Sequence, residues 1–178
     1  PAISADGRFV AFRADAGNLL AGSNGFEQVY AKDLETGAVE LVSRTAAGSF
    51  STAHAAALTP HAISASGRFV VFQSIAANLV DGIAAGTLLV YVRDRQSGST
   101  ELVSRSSGGD VANAQSDLGA ISPNGRFVVF RSFATNLGAS GSLSRVYLHD
   151  RTSRSTTPLP LPVVGAATAG GCRTADVT

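Results

Sequence analysis

Ala2-Ile3-Ser4-Ala5-Asp6-Gly7-Arg8-Phe9-Val10-Ala11-Phe12 returns as Ala62-Ile63-Ser64-Ala65-Ser66-Gly67-Arg68-Phe69-Val70-Val71-Phe72. It returns again as Ala120-Ile121-Ser122-Pro123-Asn124-Gly125-Arg126-Phe127-Val128-Val129-Phe130, at offsets of 60 and then 58 residues. A fixed period of this size marks a repeat architecture. Each copy pairs a short apolar run with a branched, aromatic one across Asp6-Gly7, Ser66-Gly67 or Asn124-Gly125. Glycine tolerates the positive φ that tight hairpin turns demand, so two strands joined by a tight turn are expected in each copy.

Downstream of a looser stretch, Arg13 to Gln28 in the first copy, a third strand reads Val29-Tyr30-Ala31-Lys32-Asp33. Its sisters are Val90-Tyr91-Val92-Arg93-Asp94 and Val146-Tyr147-Leu148-His149-Asp150. Alternation with a period of two is the pattern of a sheet with two different faces. A turn at Leu34-Glu35-Thr36-Gly37 or Arg95-Gln96-Ser97-Gly98 leads to a fourth strand, Glu40-Leu41-Val42-Ser43 or Glu101-Leu102-Val103-Ser104. No segment shows a sustained helical period. Four antiparallel strands per repeat make the blade of a β-propeller, whose first strand lines the central channel and whose fourth is the outer edge. The expected fold is all-β, with three four-stranded blades at about 1–44, 60–105 and 119–157 in a partial ring. Residues 158–178, with three prolines and an Ala/Gly-rich run, read as a tail or linker.

Order within the repeat carries a family resemblance. Ile-Ser-x-Asp-Gly-Arg-Phe-Val-Ala-Phe, then Val-Tyr-x-x-Asp, then Thr-Gly, then Leu-Val-Ser resembles the WD40-like repeats of the TolB-type β-propeller group over about residues 1–157. The resemblance implies a bacterial, often exported propeller used for interaction, hence a secreted or periplasmic location. Closed members commonly have six or more blades. Many members of that group carry an acidic, Asn-Gly-containing segment before the third strand that looks capable of holding a cation. Here only Asn24-Gly25-Phe26-Glu27 and Asp81-Gly82 remain, too few oxygens for a six- to eight-coordinate calcium, so no metal and no cofactor are expected.

The third copy departs from its sisters. Arg154 stands where they have Gly37 and Gly98, a poor residue for a positive-φ turn. Thr157-Pro158-Leu159 replaces Leu-Val-Ser, and proline lacks the ladder donor that only an edge strand can spare.

Three blades leave two apolar blade faces without a neighbour, since known rings typically use four to eight. The chain contains no Met and opens inside the repeat. These features favour a piece of a larger propeller over a head-to-tail homodimer closing a six-bladed ring.

The formal charge of +1 offers no electrostatic footprint for nucleic acid. No apolar run approaches the ~18 residues of a membrane span. The single cysteine, Cys172, has no internal partner, and His54, His61 and His149 share no metal-ligand spacing. Hydrolase elbows, zincin motifs and phosphate-cradling glycine loops are absent from the sequence. The expected function is a non-catalytic scaffold for protein or ligand interaction. Its alternative is an accessory propeller of a peptidase or glycan-active hydrolase whose catalytic residues lie outside this chain. Strand alternation puts the second-to-third loops and the inter-blade linkers on one face, where propellers place binding residues. A protein or peptide partner is expected there. Asn18, Asn78 and Asn136 recur in those loops as candidate binding amides. The competing role, favoured by asparagine's bonding to nearby backbone, is to cap the loop while Leu19, Leu79 and Leu137 pack beneath. Arg8, Arg68 and Arg126 are expected to pair with Asp33, Asp94 and Asp150 in a structural role, and the tyrosines of the third strands to pack between blades.

Overall fold

A computed structural model describes residues 1–22, 24–56, 59–139 and 143–160. Twelve strands, with no helix among the described residues, form three separate four-stranded antiparallel sheets. The first contains β1 (Ala2–Ile3), β2 (Phe9–Ala14), β3 (Gln28–Asp33) and β4 (Val39–Leu41). The second contains β5 (Ala55–Ala56), β6 (Phe69–Ser74), β7 (Leu89–Asp94) and β8 (Ser99–Leu102). The third contains β9 (Ser116–Ile121), β10 (Phe127–Ser132), β11 (Arg145–Asp150) and β12 (Ser155–Pro158). Spatial order follows chain order within each sheet. This is an all-β partial propeller of three blades.

The conserved pattern of the hairpin has a local cause in each copy. Ser4 Oγ accepts from the Phe9 N–H at 2.9 Å, Ser64 Oγ from Phe69 at 3.0 Å and Ser122 Oγ from Phe127 at 2.9 Å. The serine thus satisfies an amide that the tight turn leaves without a strand partner. Gly7, Gly67 and Gly125 hold φ of 73°, 71° and 75°, the left-handed conformation in which a side chain costs about 1–2 kcal/mol.

Strand bounds differ from the sequence reading at the innermost position. The second sheet begins at Ala55–Ala56, upstream of residue 60, while Ile63 bridges Val70 and the Val71 N–H donates to the Ala62 carbonyl at 2.7 Å outside the named strands. The third begins at Ser116, ahead of 119, with a register shift between Val129 and Arg131 and Leu118 at φ 54°. The inner strand pairs with residues more than ten positions away, so local pattern does not reveal where that pairing starts. Arg154 adopts φ 57°, taking the glycine conformation in spite of its side chain. Pro158 ends β12 on the outer edge, where no further strand asks for its missing donor. The expected tail beyond Pro160, Cys172 included, lies outside the described residues.

Packing places the core between sheets as well as within them. Val70, Val71, Phe72, Val90, Tyr91 and Val92 of the middle blade are all at most 2% exposed. The tyrosines stack on the neighbouring strand of their own blade. Phe12 and Tyr30 centroids lie 5.8 Å apart, Phe72 and Tyr91 5.6 Å, Phe130 and Tyr147 5.7 Å. These stacked pairs sit directly opposite in register, so the tyrosines are packing residues stacked across strands. Burial pushes the Tyr91 phenol up to about 12.

Candidate functional site

The two faces of the disc are built differently. On the short-turn face, each arginine after the hairpin forks onto the aspartate that ends the third strand. Arg8 Nη2 lies 2.7 Å from Asp33, Arg68 Nη2 2.7 Å from Asp94 and Arg126 Nη2 2.7 Å from Asp150, with Nε making a second bond in each. The same aspartates accept N–H groups of the following turn, from Glu35, Gln96 and Thr152. Both turns of a blade are thereby locked together. The arginine bonds hold all three carboxyls well below the usual carboxylate range. These charges are structural, as the sequence implied.

The junctions between blades repeat a second device. Arg95 pairs with Glu40 of the preceding blade, donates to the Gly67 carbonyl and lies 4.1 Å over the Phe9 ring. Arg151 repeats it with Glu101, the Gly125 carbonyl and Phe69, at 4.2 Å. Phe9 and Phe69 are each held between two guanidiniums, their own blade's and the next blade's. The end faces lack this closure: Leu34, 50% exposed, occupies the arginine's position in blade one, and Thr157 the glutamate's in blade three. Neither partner was legible in the sequence, because the paired residues lie 55 and 50 positions apart.

On the long-loop face, two of the three candidate amides are engaged within the fold. Asn78 donates to the Phe50 carbonyl at 2.9 Å and accepts from the Thr52 N–H at 3.0 Å. Asn136 donates to the Val111 carbonyl at 2.7 Å and accepts from the Asn113 N–H at 3.1 Å. Each ties its loop to the linker arriving from the blade before, above a buried Leu79 or Leu137. Asn18 is exposed and makes no such bond among the described residues. The blade-one cation-segment remnant is also occupied: Asn24 donates to the Ser51 carbonyl, and Glu27 pairs with Arg13. Two large apolar side chains stand out at the feet of the blade-three loop, Phe133 at 40% and Leu143 at 64% exposure.

Comparison with solved structures decides the fold type. TolB from Acinetobacter baumannii superposes with a TM-score of 0.53 at 21% identity, covering 89% of this chain and 31% of that one. A putative TolB from Agrobacterium tumefaciens gives 0.54 at 16% identity, covering 88% and 47%. The chain has the TolB-type β-propeller fold. It spans less than half the length of either TolB structure. No protein-family model and no curated protein matches the sequence.

Within this TolB-type fold, the buried imidazole of blade three is strongly shifted within the acid range. His149 is 3% exposed, and burial, helped by Arg105 and Arg151, pulls its pKa down to about 4 against the opposing pull of Asp150. A folded pKa below the unfolded value of about 6.5 means the unfolded chain binds the proton first. Stability from this group is complete above pH 6.5 and is lost as pH falls toward 4, about 3 kcal/mol in all. Below about pH 4 the arginine-paired aspartates add to the loss as they protonate. Urea midpoints measured against pH in chloride buffers should fall between 6.5 and 4. His149→Gln should flatten that limb; an unchanged slope in the variant would assign it elsewhere.

Proposed function

We propose that this chain is a non-catalytic propeller scaffold that takes a protein or peptide partner on its long-loop face. One observation carries the reading: Phe133 and Leu143 are exposed at the feet of a single loop on that face. The Arg-Asp forks, by contrast, engage the repeated charges of the other face. A few well-packed anchor side chains carry most of the affinity of an interface, and an exposed apolar pair on one loop offers such anchors. Asn18, unengaged among the described residues, is the candidate amide left for a polar contact at the rim.

The experiment uses peptides selected against the chain from a display library. Phe133→Asp and Leu143→Asp should each weaken the selected peptides by about tenfold or more, in line with hot-spot truncations. Asp6→Ala and Asn124→Ala on the opposite face should leave affinity unchanged. Equal losses on both faces, or none on the long-loop face, would overturn the assignment.

A further inference from the structure

The two blade junctions share one plan but differ in the residue that fills the gap between blades. At the first, Arg93 is 2% exposed and fills the gap, donating to Thr100 Oγ1 at 3.0 Å and reaching the Thr45 carbonyl at 3.5 Å. Thr100 in turn donates to the Arg44 carbonyl at 2.8 Å. At the second junction His149 takes Arg93's place, Thr156 takes Thr100's and Arg105 takes Arg44's. Thr156 Oγ1 gives its proton to the Arg105 carbonyl, so at neutral pH it is His149 Nδ1–H that donates to Thr156, at 2.9 Å. Imidazole is shorter than a guanidinium side chain. A cavity of about 370 Å³ opens beside it, several times the ~30 Å³ that one water occupies in the liquid.

The lining of this cavity is cationic. Arg105, Arg151 and Arg154 border it with His149, against the single carboxylate of Glu101. Glu101 is itself paired with Arg151. Arg105 Nε is buried and has no hydrogen-bond partner. Arg44 has the same orphaned Nε, but there Arg93 occupies the junction. Arg154 makes no ion pair or hydrogen bond among the described residues, yet it holds φ 57° where the sister blades have Gly37 and Gly98. A guanidinium has in effect moved from the plugged interior of one junction to the rim of a cavity at the next, at a cost in backbone strain.

We propose that this cavity, between the outer edges of blades two and three, binds a dianionic oxyanion of the phosphate class. Three guanidiniums facing one carboxylate leave a formal excess of two positive charges, which favours a dianion over a monocarboxylate. Guanidinium forks match tetrahedral oxyanions through paired N–H bonds. An anion in the cavity also favours protonation of His149, whose charged surroundings are Arg105, Arg151, Asp150 and the lining Glu101 and Arg154. This site is independent of the long-loop partner.

Inorganic phosphate is the probe, with acetate and chloride at matched ionic strength as comparisons. Calorimetric titration should show saturable phosphate binding, with acetate at least about tenfold weaker. By linkage, NMR titration of the His149 ring should show its pKa raised by about one unit in sulfate, which stays dianionic at the acid pH where the ring titrates. His149→Arg rebuilds the plugged first junction and should abolish binding. Arg154→Gly restores the sister-blade residue, keeps the fold and should weaken binding about tenfold, the loss of one charge-assisted contact. If His149→Arg does not fold, Arg154→Gly alone decides. Phosphate acting no differently from chloride, or both variants binding as the parent does, would overturn the site.

Discussion

Gly67→Ala and Gly125→Ala should each destabilise the chain by about 3–4 kcal/mol, the left-handed penalty plus that of overpacking a closed interface. A Cβ on Gly67 would lie 2.2 Å from Phe9 Cδ2 and 2.9 Å from Phe9 Cβ, and one on Gly125 would lie 2.1 Å from Phe69 Cδ2. The clash is not with a free side-chain tip. Phe9 and Phe69 are held between two guanidiniums each, so the ring cannot withdraw cheaply. Gly7 provides the internal control. Its φ of 73° matches the other two, but nothing lies within 4 Å of its would-be Cβ. Gly7→Ala should therefore cost only about 1–2 kcal/mol, the backbone contribution alone. Urea unfolding of the three variants separates conformation from packing. If Gly67→Ala proves no worse than Gly7→Ala, the blades do not press together as described. A further blade on the outer face of blade one would give Gly7 the sensitivity of its sisters.

The second large effect belongs to the middle blade. Phe72→Ala should cost about 3–5 kcal/mol, as buried phenylalanine truncations do. Phe72 is 1% exposed, stacks on Tyr91 and has a blade on either side. Removing it leaves a cavity that two flanking sheets cannot collapse into without breaking the Arg95 and Arg151 bridges. Phe12 has the same cross-strand partner type but is only half-buried in an end blade. Phe12→Ala should cost roughly half as much, because less apolar surface returns to water. Equal losses for Phe12 and Phe72 in urea unfolding would show that burial between blades adds nothing.

Much of the architecture was legible because it is local. The Asp-Gly, Ser-Gly and Asn-Gly turns, the Phe-Val-x-Phe strands and the Val-Tyr-x-x-Asp strands all announce themselves within a dozen residues. Repetition then made Arg8 and Asp33 readable as a pair, although they stand 25 positions apart. Ala62 and Ile63 meet Val71 and Val70 as their blade-one copies meet the second strand, but blade two's inner edge also has an upstream piece that the local pattern did not show. Ala55–Ala56 has no turn signal of its own and becomes a strand only by pairing with Gln73 and Ser74. Asn18, Asn78 and Asn136 were weighed as binding amides against a favoured loop-capping role, and Asn78 and Asn136 bond to linkers that reach them from the preceding blade. Candidate binding residues were sought in repetition, whereas the second-junction cavity arises where repetition fails, at His149 and Arg154.

Twisted four-stranded sheets, their tight turns and their number are properties of the chain read as text, since near neighbours and a period near sixty residues specify them. Which side chains meet across a junction, and where a gap remains, depended on how one blade seats on the next. Glu40 finds Arg95, and His149 leaves room where Arg93 does not, through contacts between residues some fifty positions apart. Close packing, unlike turn propensity, responds to the volume of every neighbour at once.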